Sequence, residues 1–587
     1  MKRHFKTFLV ILFILTFNSC QNSGYRKVAQ EGAFDEIYGT SGDERVVRPV
    51  YRGIVEIYDR MSAEEKEKFY KETLSEFSGD NTLLPLPRVL EEAEYDYLKE
   101  GVEQRGAAIR AFLVDHYSGK KSYAKSGVVP QTVIDRIVTR SHEQLWPGKV
   151  NINALNFWYG PDIIRGPPTK EFPEGRFYVV EDNPGFIGGV GDLIQARKSL
   201  MDRMPDVQRI TDSPDPKNFY DKMIASYKES ARKFGGIPVV IQYASDLAAD
   251  NEDKRIKAIF EKEGVEVVKF NPFSKNTFYN GKELKAEADG VYLYKTEKGK
   301  RKKQKVGYVV ANSDPQDVDL SHAANRPKRI LMEAEWHLEE EGWEPAKKEK
   351  LKELMKTDPI TGKVDYEKVS KYLEKESPYL VELKKKWGIA GLFDAVADGK
   401  LGMTNSPGME FIGDKEFYIY VEDMIRFYMK EEPILKNMET ASFRGFDQAG
   451  KEILDVKAFA EVETNFDRYV VKGVDGRGGD AVWVGPKVAQ EERKRVMQLV
   501  RENPRRYIFQ RYNALSTMGD YIGDLRLISD VSDKGVIVAD VPWARVVSKN
   551  GDGKVNISAN GFEATVLIRR QLNKFSCNSL ISNLLVK

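Results

Sequence analysis

Between Tyr469 and Val484 the chain reads YVVKGVDGRGGDAVWV. Two alternating apolar runs, Tyr469–Lys472 and Ala481–Val484, flank the cluster Asp475-Gly476-Arg477-Gly478-Gly479. β-Rich runs on either side of a glycine cluster fold as a hairpin with a glycine-rich tip. Such a tip brings backbone N–H groups up to a phosphate with no Cβ in the way. Lys472, just before the turn, reaches the same phosphate as a point charge. An ordinary β-turn uses the same residues, so the surrounding chain has to decide between the two.

A chain of 587 residues holds more than one domain, about two to four by length. Hydrophobic residues at 41% and aromatic residues at 11% supply a core. A net charge of +2 with 31% charged residues gives no overall steer towards nucleic acid. Two cysteines, Cys20 and Cys577, imply no disulfide framework, and Cys577 has no neighbouring histidine to activate it. The five histidines, His4, His116, His142, His322 and His337, are too scattered for a zinc cluster.

The first residues read as a targeting segment. Lys2, Arg3 and Lys6 form a basic head, Phe8–Phe17 an apolar stretch, and Asn18-Ser19-Cys20 a processing site. The order resembles a bacterial lipoprotein lipobox, with Phe17 where leucine is more usual. It implies a signal peptide over 1–20, with Cys20 as the lipidated first mature residue. The protein would then be exported and membrane-anchored, or cytoplasmic if the signal is unused. No later apolar run approaches membrane length.

After a polar linker, 21–33, a mainly helical region is expected over 34–150. Ser62-Ala63-Glu64-Glu65 forms a capping box, and Glu91–Tyr117 has apolar residues at helical spacing. Strands follow at Asn153–Tyr159, Asp162–Arg165 and Arg176–Val180, the last running into Glu181-Asp182-Asn183. Alternate strand residues share a face, so Glu181 and Asn183 point together and Asp182 points away, to a structural role. With Asp162 they make a candidate set of hard oxygen ligands for Mg²⁺, although turn-forming is the commoner use of such residues. Residues 235–410 read as an open α/β subdomain: strand Pro238–Gln242, helix Lys254–Glu263, strand Val265–Phe270. The basic run Lys298–Lys305 is expected to be a solvated hairpin tip, since no aromatics interleave with it. Arg329–Lys386 reads as an exposed helical insertion. A helix from Asp414-Lys415 to about Lys430, the hairpin, helix Gln490–Glu502 and a strand Tyr507–Tyr512 ending in a hinge complete the pattern. Strands at Asp524–Ile528 and Gly535–Val541 precede Arg545 and the loop Asn556–Gly561.

A Lys before a glycine-rich hairpin, a helix, a hinge strand and an Arg on the next strand resemble the nucleotide half of an ATP-grasp fold. The Asp strand and the Glu-x-Asn strand that would end that half occur early, so the chain resembles a circularly permuted ATP-grasp protein. Matching stretches are Phe34-Asp35-Glu36, Pro87-Arg88, Gln104-Arg105, Phe112-x-x-Asp115-x-Tyr117, Asn405-Ser406-Pro407-Gly408, Asp414-Lys415, Tyr507–Gln510 and Leu515-Ser516-Thr517. The resemblance spans about 34–565. It implies an α/β (α+β) fold, with the metal-binding part at 151–200, the ATP-binding part at 411–565 and a tail at 566–587. It also implies roles. Lys472 and the backbone of Gly476, Arg477, Gly478 and Gly479 would hold the phosphates of ATP, and the hinge Phe509, Gln510, Arg511 and Tyr512 would contact adenine. Arg526 would stabilise the transferring phosphate, helped by Arg545 and Asn556, with Mg²⁺ on Asp162, Glu181 and Asn183.

The implied reaction activates a carboxylate as an acyl phosphate, which an amine then attacks. Neither substrate is named by the chain; a peptide or polyamine-like amine fits. Two departures concern the acceptor side: Pro184-Gly185 stands where the family has an Arg two residues after Glu-x-Asn, and Asn560-Gly561-Phe562-Glu563 replaces a longer glycine loop. They leave open a non-catalytic exported lipoprotein that reuses the fold for binding, and, more remotely, a phosphotransferase.

Overall fold

The strand Asp162–Arg165 lies inside an eight-stranded sheet drawn from both ends of the chain. Its order is Leu83–Glu91, Phe562–Arg569, Trp543–Ser548, Tyr521–Arg526, Asp162–Arg165, Phe177–Glu181 and Lys436–Asn437, with Thr517–Met518 paired to Tyr521–Arg526. The computed structural model describes residues 32–39, 46–77, 82–140, 150–185, 187–243, 251–270, 278, 281–312, 318, 343–354, 356, 366–377, 389–448, 451–475, 481–557 and 561–569. The expected signal segment with Cys20, the glycine tip Gly476–Gly479 and Cys577 lie outside the described residues. Among the described residues no helix is long and apolar enough to cross a membrane.

The region 34–150, expected to be mainly helical, also supplies the edge strand Leu83–Glu91, which pairs in parallel with Phe562–Arg569. Pro85 and Pro87 hide this strand from a pattern reading. Proline has no N–H for a ladder and is confined to edges and bulges. Here the register shifts between Leu84 and Arg88, where the prolines sit. The helix Glu92–Tyr117 follows at once and buries Leu98, Val102, Ile109 and Phe112 in the main core.

Arg105, on that helix, is fully buried. Its Nε and Nη2 donate to the two carboxylate oxygens of Asp182 at 2.8 and 2.7 Å, and Nη1 donates to Asn437 Oδ1 at 2.8 Å. The Tyr159 hydroxyl donates to Asp182 at 2.5 Å. Asp182 thus takes the structural role that strand alternation assigns it, bolting the long helix beneath the end of the Phe177–Glu181 strand.

The α/β unit is a six-stranded sheet, ordered Glu266–Phe270, Ile237–Tyr243, Lys300–Asn312, Gly290–Glu297 and Lys282–Glu287, with Gly402–Thr404 beside Lys300–Asn312. The basic run turns at Lys298 and Gly299, both at positive φ, and exposes Lys300 to Lys303 at a hairpin end, as expected. Asn405 joins this unit to the body: its Oδ1 accepts from Trp158 N at 3.0 Å and its Nδ2 donates to Ala311 O at 2.7 Å. Of the expected helical insertion, Pro345–Leu354 and Tyr366–Glu376 are helices.

The hairpin belongs to a four-stranded antiparallel sheet, ordered Thr440–Ser442, Tyr507–Arg511, Tyr469–Gly473 and Val482–Val484. Helices Val456–Thr464 and Gln490–Glu502 contribute Phe459, Val462, Val496 and Val500 to the separate apolar core packed on this sheet. The two β layers, large sheet and small sheet, meet where Lys472 reaches the Phe177–Glu181 strand.

Removing Arg105 leaves a buried carboxylate without its counter-ion. Breaking a buried pair in this way costs about 3–5 kcal/mol. Arg105→Ala is therefore expected to lower the denaturant midpoint by that equivalent, and wild-type stability in the variant would contradict this role of the pair.

Candidate functional site

Lys472 ends the strand Tyr469–Gly473, and its side chain crosses from the small sheet to the large one. The ammonium donates to Val180 O at 3.1 Å and is buried. Gln510 Nε2, from the adjacent strand, approaches the same carbonyl at 3.4 Å and donates to Thr440 Oγ1 at 2.9 Å. The next residue, Glu181, is paired through Oε1 with the ammonium of Lys415 at 3.0 Å.

Sequence reasoning noted Lys415 only as part of a matching dipeptide; the structure puts it in the site. Its neighbours on either side are held elsewhere. Asp414 takes both Nη atoms of Arg136, at 2.9 and 2.6 Å, and accepts from the backbone N–H of Glu416 and Phe417. Glu416 pairs with Arg136 at 2.9 Å and Arg444 at 2.6 Å. The backbone of Lys415 donates to Val474 O at 3.0 Å, next to the hairpin. With its flanks fixed, the Lys415 side chain is directed at Glu181. Lys415 stands in a turn before the short 3-10 helix Phe417–Tyr420, and no local pattern in the sequence pointed to Glu181.

Burial pushes the Lys472 ammonium down to about 8; Glu181 opposes the shift and Lys415 adds to it. An anion brought beside the ammonium would raise that value again.

Strand pairing lines up the remaining groups. Asp162 is the register partner of both Glu181 and Arg526, and Asp524 is that of Arg545. Arg526 Nε donates to Asp162 Oδ1 at 2.8 Å and its Nη2 to Oδ2 at 3.1 Å. Arg545 Nη2 lies 2.8 Å from Asp162 Oδ2 and its Nε donates to Asp524 at 3.1 Å. Burial would raise the Asp162 carboxyl, but the two guanidiniums outweigh it and hold that carboxyl below the usual range. Both guanidiniums stand 5.6 Å from the Trp543 ring.

Asp162 was expected as a metal ligand. In the structure both its oxygens accept from guanidiniums, so it orients Arg526 and Arg545. Glu181, the second expected ligand, is likewise paired through one oxygen, with Lys415. The Asn183 side-chain nitrogen is buried with no hydrogen-bond partner, while its backbone O accepts from Gly160 N at 2.8 Å. Among the described residues no group of three or more His, Cys, Asp or Glu is placed to hold a metal ion.

Lys472, Glu181, Asp162, Arg526 and Arg545 are thus brought together. The hinge residues make other contacts. Arg511 N donates to Glu439 O at 2.7 Å, Tyr512 N to Arg468 O at 2.8 Å, and the Phe509 ring packs on Phe443 and Tyr469. These two backbone N–H groups of the hinge are bonded within the protein, to residues that directly precede strands of the small sheet. Asn556 is half-buried in the loop before Phe562–Arg569; in the same loop Gly553 lies against Val484 and Lys487 of the small sheet. Gly185 has φ +76°, a left-handed conformation that arginine adopts only with strain, which gives this departure from the family pattern a local reason.

A model of the family described as circularly permuted ATP-grasp type 2 matches residues 87–241 and 366–533, more than half of the chain. An uncharacterized protein of Synechocystis sp. is 24% identical over 446 residues, covering 75% of this chain and 72% of that one. An uncharacterized protein of Mycobacterium bovis is 26% identical over 556 residues, covering 90% and 82%. A putative glutamate–cysteine ligase of Frankia alni is 24% identical over 502 residues, covering 83% of this chain and 47% of its own length. The chain therefore spans about half of that last relative.

The depressed Lys472 ammonium makes two opposite pH dependences. Its folded value lies below the unfolded one, so the cost of burying its charge is present below about 8 and is relieved as pH rises towards 10.5. Anion binding needs the proton, so affinity for ATP is expected to fall as pH rises through about 8. Lys472→Arg should flatten that fall. Calorimetric titration across this range checks it, and an affinity indifferent to pH in the wild type would remove Lys472 from phosphate binding.

Proposed function

The chain belongs to the circularly permuted ATP-grasp family, type 2, and we propose that it is an Mg²⁺- and ATP-dependent carbon–nitrogen ligase. Its carboxylate substrate would take the γ-phosphate to give an acyl phosphate and ADP. An amine would then attack the acyl carbon and release phosphate. The resemblance to a putative glutamate–cysteine ligase supports an amino-acid or peptide carboxylate as the activated group; the amine is peptide- or polyamine-like.

The observation that carries this reading is the excess of buried positive charge at the seam of the two sheets. Lys415, Lys472, Arg526 and Arg545 converge on Glu181, Asp162 and Asp524. Buried charge is tolerated when paired, and a polyphosphate supplies the missing anion. Lys472 and Lys415 would hold the phosphates. Arg526, aimed by Asp162, would meet the charge that develops on the transferring group, the main work of phosphoryl transfer. Arg545 shares Asp162 and steadies that pair.

Glu181 and Asn183 fit Mg²⁺ by donor type. The unpartnered Asn183 amide is the orphaned polar group such an ion would satisfy, since amide oxygen and nitrogen exchange by a flip. When bound, the ion neutralises phosphate charge. No protein nucleophile is required; positioning lowers the barrier.

Glu181→Gln is expected to reduce Mg²⁺-dependent ADP formation at least ~100-fold, since charge neutralisation at phosphate contributes several kcal/mol. Assaying ADP release over a panel of carboxylates and amines reads this out, with circular dichroism to verify folding. Wild-type turnover in that variant would sink the metal assignment.

Export with lipid anchoring at Cys20 is part of the proposal, supported by the basic, apolar and Cys order of residues 1–20. Cys20→Ser should move the protein from the membrane fraction to the soluble one. An unchanged distribution between fractions would remove Cys20 as the anchor.

A further inference from the structure

A glutamate of the α/β unit reaches the loop that follows Asn183. Glu252 is the second residue of the helix Asn251–Lys262, whose Ile256 and Phe260 are buried in the main core. Its Oε1 accepts from Gly189 N at 2.8 Å and Gly191 N at 2.9 Å. Arg255, one residue past the first helical turn, donates from Nε to Gly191 O at 3.1 Å and pairs with Asp192. The Tyr220 hydroxyl donates to Val190 O. The loop is therefore held at the successive peptide groups of Gly189, Val190 and Gly191.

The same loop also meets Arg526. Gly188 O accepts from Arg526 Nη1 at 3.4 Å. Gly189 lies flat on Trp543: a Cβ there would sit 2.5 Å from the indole. That indole is the one under both guanidiniums. One strand of backbone separates the Glu252 carboxylate from the group proposed to meet the γ-phosphate.

We propose that Glu252 is a positioning residue for phosphoryl transfer. By holding the Gly189 and Gly191 amides it fixes the Gly188 carbonyl and the packing on Trp543, and so aims Arg526 at the terminal phosphate of ATP. This rests on the ligase reading above. A carboxylate suits the task because two N–H groups converge on one oxygen, and hydrogen bonds to an ionised acceptor are about twice as strong as neutral ones. The α/β unit thereby takes part in setting the reaction centre.

The test compares ADP with the β,γ-imido analogue of ATP, each with Mg²⁺, by calorimetry on the full chain. Wild type is expected to bind the analogue more tightly than ADP. Glu252→Ala should cut that preference about 10-fold, the loss of one directed charge-assisted contact, and leave ADP affinity within about twofold. Glu252→Gln, which keeps an acceptor oxygen, should restore most of it. Glu252→Asp, one methylene short of the amides, serves if the alanine variant does not fold, and should lose the preference too. A mere fastening between units would alter stability and leave the ratio untouched. A wild-type ratio in Glu252→Ala or Glu252→Asp, or no preference in the wild type, overturns the proposal. Wild-type protein that binds neither nucleotide overturns the ligase reading, and this inference with it.

Discussion

Asp162 accepts hydrogen bonds from two guanidiniums on its two oxygens, and the seam between the sheets depends on that arrangement. Arg526 and Arg545 sit on neighbouring antiparallel strands, and without a shared carboxylate their buried charges would repel. In a low-dielectric setting that repulsion is severe. Asp162 turns it into a pair held beside the Trp543 ring, 5.6 Å from each guanidinium. Beside it, Glu181 does the same for Lys415 at 3.0 Å while Lys472 is left on a backbone carbonyl. The seam therefore gathers Lys415, Lys472, Arg526 and Arg545 in a largely buried setting.

Other buried ionic clusters keep that seam in shape. Glu36 sits among Arg88 at 2.6 Å, Arg165 at 3.3 Å and Arg48 at 3.7 Å. Burial would raise its carboxyl, but the three arginines hold it down to about 2. Arg165 ends the strand that begins at Asp162, so this cluster anchors one end of the strand whose other end meets Arg526 and Arg545. Phe34 and Thr517 exchange backbone contacts beside it: Thr517 N donates to Phe34 O at 2.8 Å and Glu36 N to Thr517 O at 2.9 Å. Stretches that matched the family pattern at 34–36, 87–88 and 515–517 thus meet as scaffold. Replacing a buried ion pair by apolar residues is often neutral for stability; what these clusters supply here is placement.

Much of the fold was open to a reading of the chain. Helix Gln490–Glu502 and strand Asp162–Arg165 have the expected bounds, because hydrophobic period and turn chemistry are written locally. The alternation that separated Asp182 from Glu181 and Asn183 was equally local. Leu83–Glu91 was missed because its prolines argue against a strand, and only its place at the sheet edge, across a register shift, makes it one. Lys415 was missed as a site residue because its direction depends on Arg136 and Arg444, both remote in sequence from it or held through Glu416.

The amino-acid sequence by itself determined the elements, their order and the residue types available for phosphate and metal. Those properties follow from spacing along the backbone. Tertiary structure alone decided which charge answers which: Asp162 to two arginines, Glu181 to Lys415, Asp182 to Arg105, and Glu252 to the backbone of Gly189 and Gly191. Burial and pairing set the strength of a charge and its proton affinity, and both depend on groups far apart in sequence that meet only in the folded chain.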